Sequence, residues 1–299
     1  MHKKYWYFIK NMAVIIIIVI VFLLMKSDPK STIKQDNNFS INDTSLITKV
    51  FLADRHGNTI TLNKYNNFWM VNNQFVVRKD VIKILLSTAN KISIKKPVSK
   101  NAFENVVKYI ATSGIYVEFY EGDNLVKSYT IGSNTPDHLG TYMLLKGSEK
   151  PYVIHIPFFN GFLSPRYGVK GNHLDINNWR STKVFDINYD DIDFISYTDY
   201  LDSNNSYLLS TNPLHLMNVN NDIVNINNNQ VLKLLNSFKS LNCEVFRPDL
   251  NYKIDSLVKL NELIVNNDTL TVFNITELFN SERKYNFTVD RKYATLNSG

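Results

Sequence analysis

Apolar positions organise the chain. Residues Met12 to Met25 read MAVIIIIVIVFLLM, and Tyr5-Trp6-Tyr7-Phe8-Ile9 extends this run to about twenty residues if Lys10 snorkels its ammonium to the interface. That is long enough for a bilayer-spanning helix. Met25-Lys26-Ser27-Asp28-Pro29 offers no small-x-small site and no cysteine follows to accept lipid, so an uncleaved signal anchor is favoured over a cleaved signal peptide. The expected layout is a cytoplasmic 1–11, a transmembrane anchor at 12–25 whose helix starts as early as 5, and a flexible Ser/Asn/Asp/Lys-rich stalk at 26–45. His2, Lys3, Lys4 and Lys10 precede the span, which places the body on the extracytoplasmic (periplasmic) side of the inner, cytoplasmic membrane.

From Ile47 onward the period shortens to that of strands. Val50-Phe51-Leu52 and Thr59-Ile60-Thr61-Leu62 flank a turn at Asp54 to Asn58, and Asn66-Asn67 leads into Phe68-Trp69-Met70-Val71. Asp80 is positioned to cap a helix whose stripe is Val81, Ile82, Leu85, Leu86 and Ala89. A second helix, capped by Asn101 with Glu104, carries Phe103, Val106, Val107 and Ile110 and stops at Gly114. Strands follow at Ile115 to Tyr120, Leu125 to Ile131, Thr141 to Leu145 and Tyr152 to Ile156, the last two pairing across Lys146 to Glu149.

Later residues repeat this plan. Val231 to Leu235 falls 150 residues after Val81 to Leu85, Arg247-Pro248 falls 151 after Lys96-Pro97, and Val258-Lys259-Leu260 falls 151 after Val107-Lys108-Tyr109. Val219-Asn220-Asn221 follows Val71-Asn72-Asn73 by 148, and Tyr285 follows Tyr142 by 143. Ordered matches with drifting offsets suggest duplication; chance agreement between amphipathic helices is the alternative. The expected fold is α+β: two tandem related units of antiparallel β-sheet with packed helices, at 46–157 and 191–299, joined by an aromatic-rich connector at 158–190, all behind the N-terminal transmembrane helix.

Charge narrows the functional classes. The 33 basic residues exceed the 27 acidic ones by a margin too dispersed for a nucleic-acid footprint. Cys243 is the single cysteine, which excludes an internal disulfide framework and a multi-thiolate zinc site; a buried, inert thiol is its ordinary role. His2, His56, His138, His155, His173 and His215 lack metal-ligand spacing, although Asp137-His138 and His173-Leu174-Asp175 form a mixed zinc site if the fold joins them. No GxSxG, GxxxxGK[ST] or GxGxxG occurs. Glu118, Glu121, Asp193, Asp199 and Asp202 are scattered acids whose pairing only a fold can decide. Phe158, Phe159, Phe162, Tyr167 and Trp179 read either as a glycan or peptide platform or as packing of the connector.

Longer segments carry a resemblance. KPVSKNAFENVVKYIATSGI at Lys96 to Ile115, TPDHLGTYM at Thr135 to Met143, KPYVIHIP at Lys150 to Pro157, GFLSPRY at Gly161 to Tyr167 and NWR at Asn178 to Arg180 closely resemble the DUF4340 family of bacterial envelope proteins. The likeness covers roughly 50–200, and the second unit follows only in outline. It implies an envelope setting, since some relatives are associated with transporter-like or gliding-motility-type ABC systems, and it supplies no catalytic residues. His138 stands where relatives often carry a plainer polar residue.

The expected function is therefore a membrane-anchored extracytoplasmic binding or scaffold protein without catalytic activity, accessory to an ABC-transporter-like or surface-assembly complex. The membrane and an envelope protein complex are its expected partners, with no nucleic acid, cofactor or metal. Candidate ligand or partner residues are Thr135, Pro136, Asp137, His138, Tyr142, Phe162, Arg166 and Tyr167. In the Thr135-Pro136-Asp137 turn Pro fixes φ, Gly140 is expected to relieve backbone strain, and Arg166 is expected to pair with a carboxylate or stack on a ring. The alternative is an envelope hydrolase acting on glycan or peptide through Asp137 and His138. A third reading is capture of a small ligand in the aromatic connector.

Overall fold

The computed structural model describes residues 38–275 and 292–297. The expected anchor at 12–25, most of the stalk and Tyr285 lie outside the described residues. Among those described, no helix is long and apolar enough to cross a membrane. The chain divides into two compact units between Ser181 and Thr182. Antiparallel sheet dominates both and a few helices accompany it, an α+β architecture.

In the first unit β1 (Lys49–Ala53), β2 (Thr59–Tyr65), β3 (Phe68–Val71) and β4 (Phe75–Val76) form a meander. Helix α1 (Lys79–Lys91), β5 (Ser93–Pro97) and helix α2 (Lys100–Ser113) follow, then β6 (Ile115–Glu121), β7 (Asn124–Asn134), β8 (Thr141–Leu145) and β9 (Tyr152–His155). The sheet runs β4-β3-β2-β1-β6-β7-β8-β9-β5, every pair antiparallel. Alternation along each strand sorts its faces. Val50 and Leu52, Val117 and Phe119, Tyr129 and Ile131, and Met143 turn into one core, where α1 adds Ile82, Leu85 and Ala89. On the opposite face α2 lies against β7, with Ile110 directly over Gly132.

Several local expectations change. The residue before α1 is Arg78, and Asp80 sits in the first turn, bridged to Arg78 at 3.3 Å, where its charge complements the helix dipole instead of capping a backbone amide. Ser99 precedes α2, not Asn101, and makes no side-chain cap. Gly114 ends α2 with an extended backbone; its requirement is space, because a Cβ there would fall 2.4 Å from the Ile110 carbonyl oxygen. Phe39, Ile41 and Ile47 are buried in the core, and Ile41 N–H donates to the Ala89 carbonyl, so packed structure begins by Phe39, within the stretch expected as stalk.

Residues 158–181 also belong to this unit and are no free connector. A 3-10 turn at Ser164–Tyr167, the hairpin of β10 (Val169–Lys170) and β11 (His173–Leu174), and Trp179 bury Leu163, Tyr167, Val169, Leu174 and Trp179 in the first core. Gly168, at φ +68°, lies flat against the Trp179 ring, which explains why no side chain is accommodated there.

The second unit contains β12 (Lys183–Phe185), β13 (Phe194–Asp199), β14 (Tyr207–Thr211), β15 (Leu214–Asn218), β16 (Ile223–Val224), helix α3 (Asn228–Ser237), β17 (Leu241–Asn242), a 3-10 helix at Pro248–Ser256, β18 (Val258–Val265), β19 (Asp268–Asn274) and β20 (Lys292–Leu296). Its main sheet runs β16-β15-β14-β13-β18-β19-β20, and β12 pairs separately with β17. Phe185, Ile192, Ile195, Leu209, Leu235, Phe238 and Val265 form its core. The element order repeats that of the first unit: a four-strand meander, a helix, a short strand, a helical segment, then strands added beside the first strand of the meander. Val231 to Leu235 and Val81 to Leu85 both fall on the helix after the meander. Val219-Asn220-Asn221 and Val71-Asn72-Asn73 both fall on its last turn, where Asn221, Asn72 and Asn73 take positive φ. The third match is overturned, because Val258-Lys259-Leu260 is strand β18 while Val107-Lys108-Tyr109 is helix α2. A three-residue apolar-Lys-apolar match carries no period, so it pairs unlike elements.

Candidate functional site

The loop after β7 is built by its own polar groups. Thr135 N–H donates to the Gly140 carbonyl at 2.9 Å and His138 N–H to the Thr135 carbonyl at 2.9 Å, which closes the turn around Pro136. The Asp137 carboxylate accepts the Thr135 hydroxyl and the Leu139 N–H. The Thr135 hydroxyl, then the Leu139 amide, hold its carboxyl below the ordinary range. His138 takes the left-handed position at φ 56°, and the Asn134 amide reaches its Nδ1 at 2.7 Å. Gly140 has no left-handed backbone, contrary to expectation; a Cβ there would meet Val153 at 2.7 Å, so its role is close packing.

A second loop comes to meet the first. Buried Leu163 N–H donates to Thr141 Oγ1 at 2.8 Å, and at the surface the rings of Phe162 and His138 lie 5.9 Å apart. Arg166 anchors the base: its Nε donates to Thr88 Oγ1 on α1 at 2.8 Å, and its guanidinium lies over the Phe159 ring at 4.9 Å. It stacks on a ring, one of the two expected fates. Tyr167 is fully buried and hydrogen-bonds Tyr129. Tyr142 alternates with the core-facing Thr141 and Met143, and so leaves from the other face of the sheet.

The fold thus joins Thr135, Asp137 and His138 with Phe162, leaves Pro136 exposed beside them, makes Arg166 and Tyr167 internal supports, and takes Tyr142 elsewhere. Tyr167 and Trp179 are core residues and no platform, because the 3-10 turn at Ser164–Tyr167 and a second at Ile176–Asn178 direct them into the first core. Phe158 is fully exposed at φ 64°; Leu139, on the Pro136 loop, is also exposed and its carbonyl accepts from the Lys95 ammonium.

The mixed zinc site does not assemble. His138 rests on Phe162, whereas His173 stacks on His56 with ring centroids 4.2 Å apart. Among the described residues, no three His, Cys, Asp or Glu side chains gather as a metal ion requires. Asp199 and Asp202 accept N–H groups of their own turns. Cys243 is half-buried, and its N–H donates to the Thr182 carbonyl. Glu118 is different. Its carboxylate accepts the Tyr116 hydroxyl at 2.6 Å and the Tyr120 hydroxyl at 2.5 Å, and Lys146 Nζ stands 3.4 Å away. Partial burial pushes its pKa up, but the two hydroxyls and the ammonium outweigh this and the carboxyl titrates below its ordinary range. No motif signals this cluster; the Tyr-x-Glu-x-Tyr alternation in β6, which puts all three on one face, is its only trace in the sequence. Comparison of the chain with protein-family models, with curated proteins and with solved structures finds no match in any of the three.

Proposed function

We propose that the chain is a single-pass, membrane-tethered binding or scaffold protein, anchored by residues 12–25, whose body of two units related by duplication works outside the cytoplasm beside a transport or surface-assembly complex. The apolar run, the basic residues before it and the likeness to the DUF4340 family support the setting. The repeated element order of the two sheets supports duplication.

The observation that carries the binding reading is Phe158. An aromatic side chain in a left-handed backbone costs about 1–2 kcal/mol, and full exposure of the ring returns none of it through packing. A costly, outward-pointing aromatic at the start of a loop braced by Leu163 and Arg166 has the character of an interface anchor. Asp137 and His138 are occupied in holding their turn, which favours recognition over the hydrolase alternative. Replacing Phe158 by a photoreactive phenylalanine analogue in intact cells tests this. A discrete protein adduct in the membrane fraction is expected; no adduct at native abundance would count against a partner at Phe158.

A further inference from the structure

We propose that the face of the first sheet opposite its core is a saccharide-binding site, centred on Tyr116, Glu118 and Lys146, for a neutral hexopyranose chain.

Adjacent strands align the groups that project there. Phe51 lies opposite Glu118, Ala53 opposite Tyr116, Tyr116 opposite Thr130, and Glu118 opposite Ser128. At one end of this face, between the β1–β2 and β8–β9 turns, opens a cavity of about 470 Å³ lined by Ala53, Arg55, Tyr116, Thr130, Leu144 and Lys146. That volume falls within the range of small-molecule sites, about 300–1,000 Å³. From it an aromatic row continues along β6 to Tyr120, whose ring carries the Lys49 ammonium 4.0 Å above its centroid. The Ser128 hydroxyl is buried next to Glu118 without a hydrogen-bond partner.

Charge defines the ligand class. Arg55 and Lys146 at the cavity are offset by Asp54 there and by Glu118 beside it, and Lys49 over Tyr120 leaves an excess of a single positive charge, too little to select a polyanion. Aromatic and aliphatic walls suit the C–H faces of a pyranose, while the fixed carboxylate, the ammonium and the hydroxyls of Thr130 and Ser148 can each exchange a hydrogen bond with a sugar hydroxyl. Tyr116, Glu118 and Tyr120 already hold one another, so little side-chain ordering remains to be done on binding. The aromatic row beyond the cavity fits an oligomer better than one ring. This site is separate from Phe158 and stands without the tether.

The test titrates the full chain, purified from membranes, with maltotetraose, cellotetraose and tetra-N-acetylchitotetraose, and in parallel with inorganic phosphate and polyglutamate, by calorimetry. Saturable binding of at least one neutral tetramer is expected, weakened at least tenfold by Glu118→Gln and by Tyr116→Ala. Because Tyr116 lies in a central strand, Lys146→Met, on the exposed turn side, is measured with them and should also weaken binding. Absence of saturable binding by all three tetramers, saturation by phosphate or polyglutamate alone, or an affinity that survives Glu118→Gln and Lys146→Met in folded protein overturns the inference.

Discussion

Tyr129 on β7 and Tyr167 in the 3-10 turn share a hydrogen bond of 2.8 Å between their hydroxyls, with rings at 90° and both side chains fully buried. This contact ties residues 158–181 to the sheet. Tyr167→Phe leaves the Tyr129 hydroxyl buried and unpaired and should cost about 1–3 kcal/mol, whereas the double Tyr129→Phe/Tyr167→Phe variant should recover most of that loss. A denaturation double-mutant cycle measures it. Burial raises both phenols well above their ordinary range. Their contribution is therefore complete below the unfolded phenol range, near pH 10, and is lost as pH rises beyond it. Absorbance at 295 nm should show two tyrosines that ionise only on unfolding.

Asp54 gives the opposite dependence. Burial alone would raise its pKa, but the Asn58 side-chain amide and the N–H groups of Leu174, Asn58 and His56 pull it down to about 2. A depressed carboxyl contributes stability that is present above the ordinary carboxylate value and disappears as pH falls through about 2. The expected effect is on the order of 2 kcal/mol. Asp54→Asn should flatten the stability profile between pH 4 and 2 and speed hydrogen exchange at the Leu174 amide, because the single amide oxygen cannot serve both Leu174 N–H and the His56 and Asn58 N–H groups bound by the other carboxylate oxygen.

Two left-handed glycines separate strain from collision. Gly122, φ +56°, has open space where a Cβ would stand, so Gly122→Ala should cost only about 1 kcal/mol. At Gly168 the same atom would fall 2.6 Å from the Trp179 ring. Gly168→Ala should therefore cost at least about 2 kcal/mol, the sum of strain and overpacking. Urea midpoints of the two variants decide the ranking.

Phe158 permits a test that separates function from stability. Phe158→Gly removes an exposed ring and relieves the positive φ, so thermal stability should stay level or rise by about 1 kcal/mol. Partner capture from solubilised membranes should fall. A loss of stability would mean that the ring packs in the native state and is no free anchor.

Much of the first sheet was legible because most of its strands, unlike β7 under α2, hide one face only. Ile115, Val117 and Phe119 alternate with Tyr116, Glu118 and Tyr120, so both the strand and its faces show as a period of two. The stripe of α1 was equally plain. Residues 158–181 were legible as packed aromatics, which Tyr167 and Trp179 are, but not as part of the first unit's core: Tyr167 takes its partner from 38 residues earlier and Trp179 from a glycine in the same loop, relations that leave no period in the chain. The convergence of His138 on Phe162 had the same origin, since it depends on Leu163 finding the Thr141 hydroxyl. Arg78 and Ser99 precede their helices without capping them, so the usual signals pointed to Asp80 and Asn101 instead. The Glu118 cluster was half visible. Its residues were in register on one face, but Lys146 comes from a turn that only sheet pairing brings near.

A tethered body that displays Phe158 outside the cytoplasm, as proposed, exposes that position to reagents that do not cross the membrane. Phe158→Cys in a Cys243→Ser background leaves one thiol there, and cells whose cytoplasmic membrane is intact are treated with a membrane-impermeant maleimide. Rapid labelling in the membrane fraction, slowed when the native complex is preserved, is the predicted result. Labelling that appears only after the cytoplasmic membrane is broken, or a chain recovered in the soluble cytoplasmic fraction, would contradict the account.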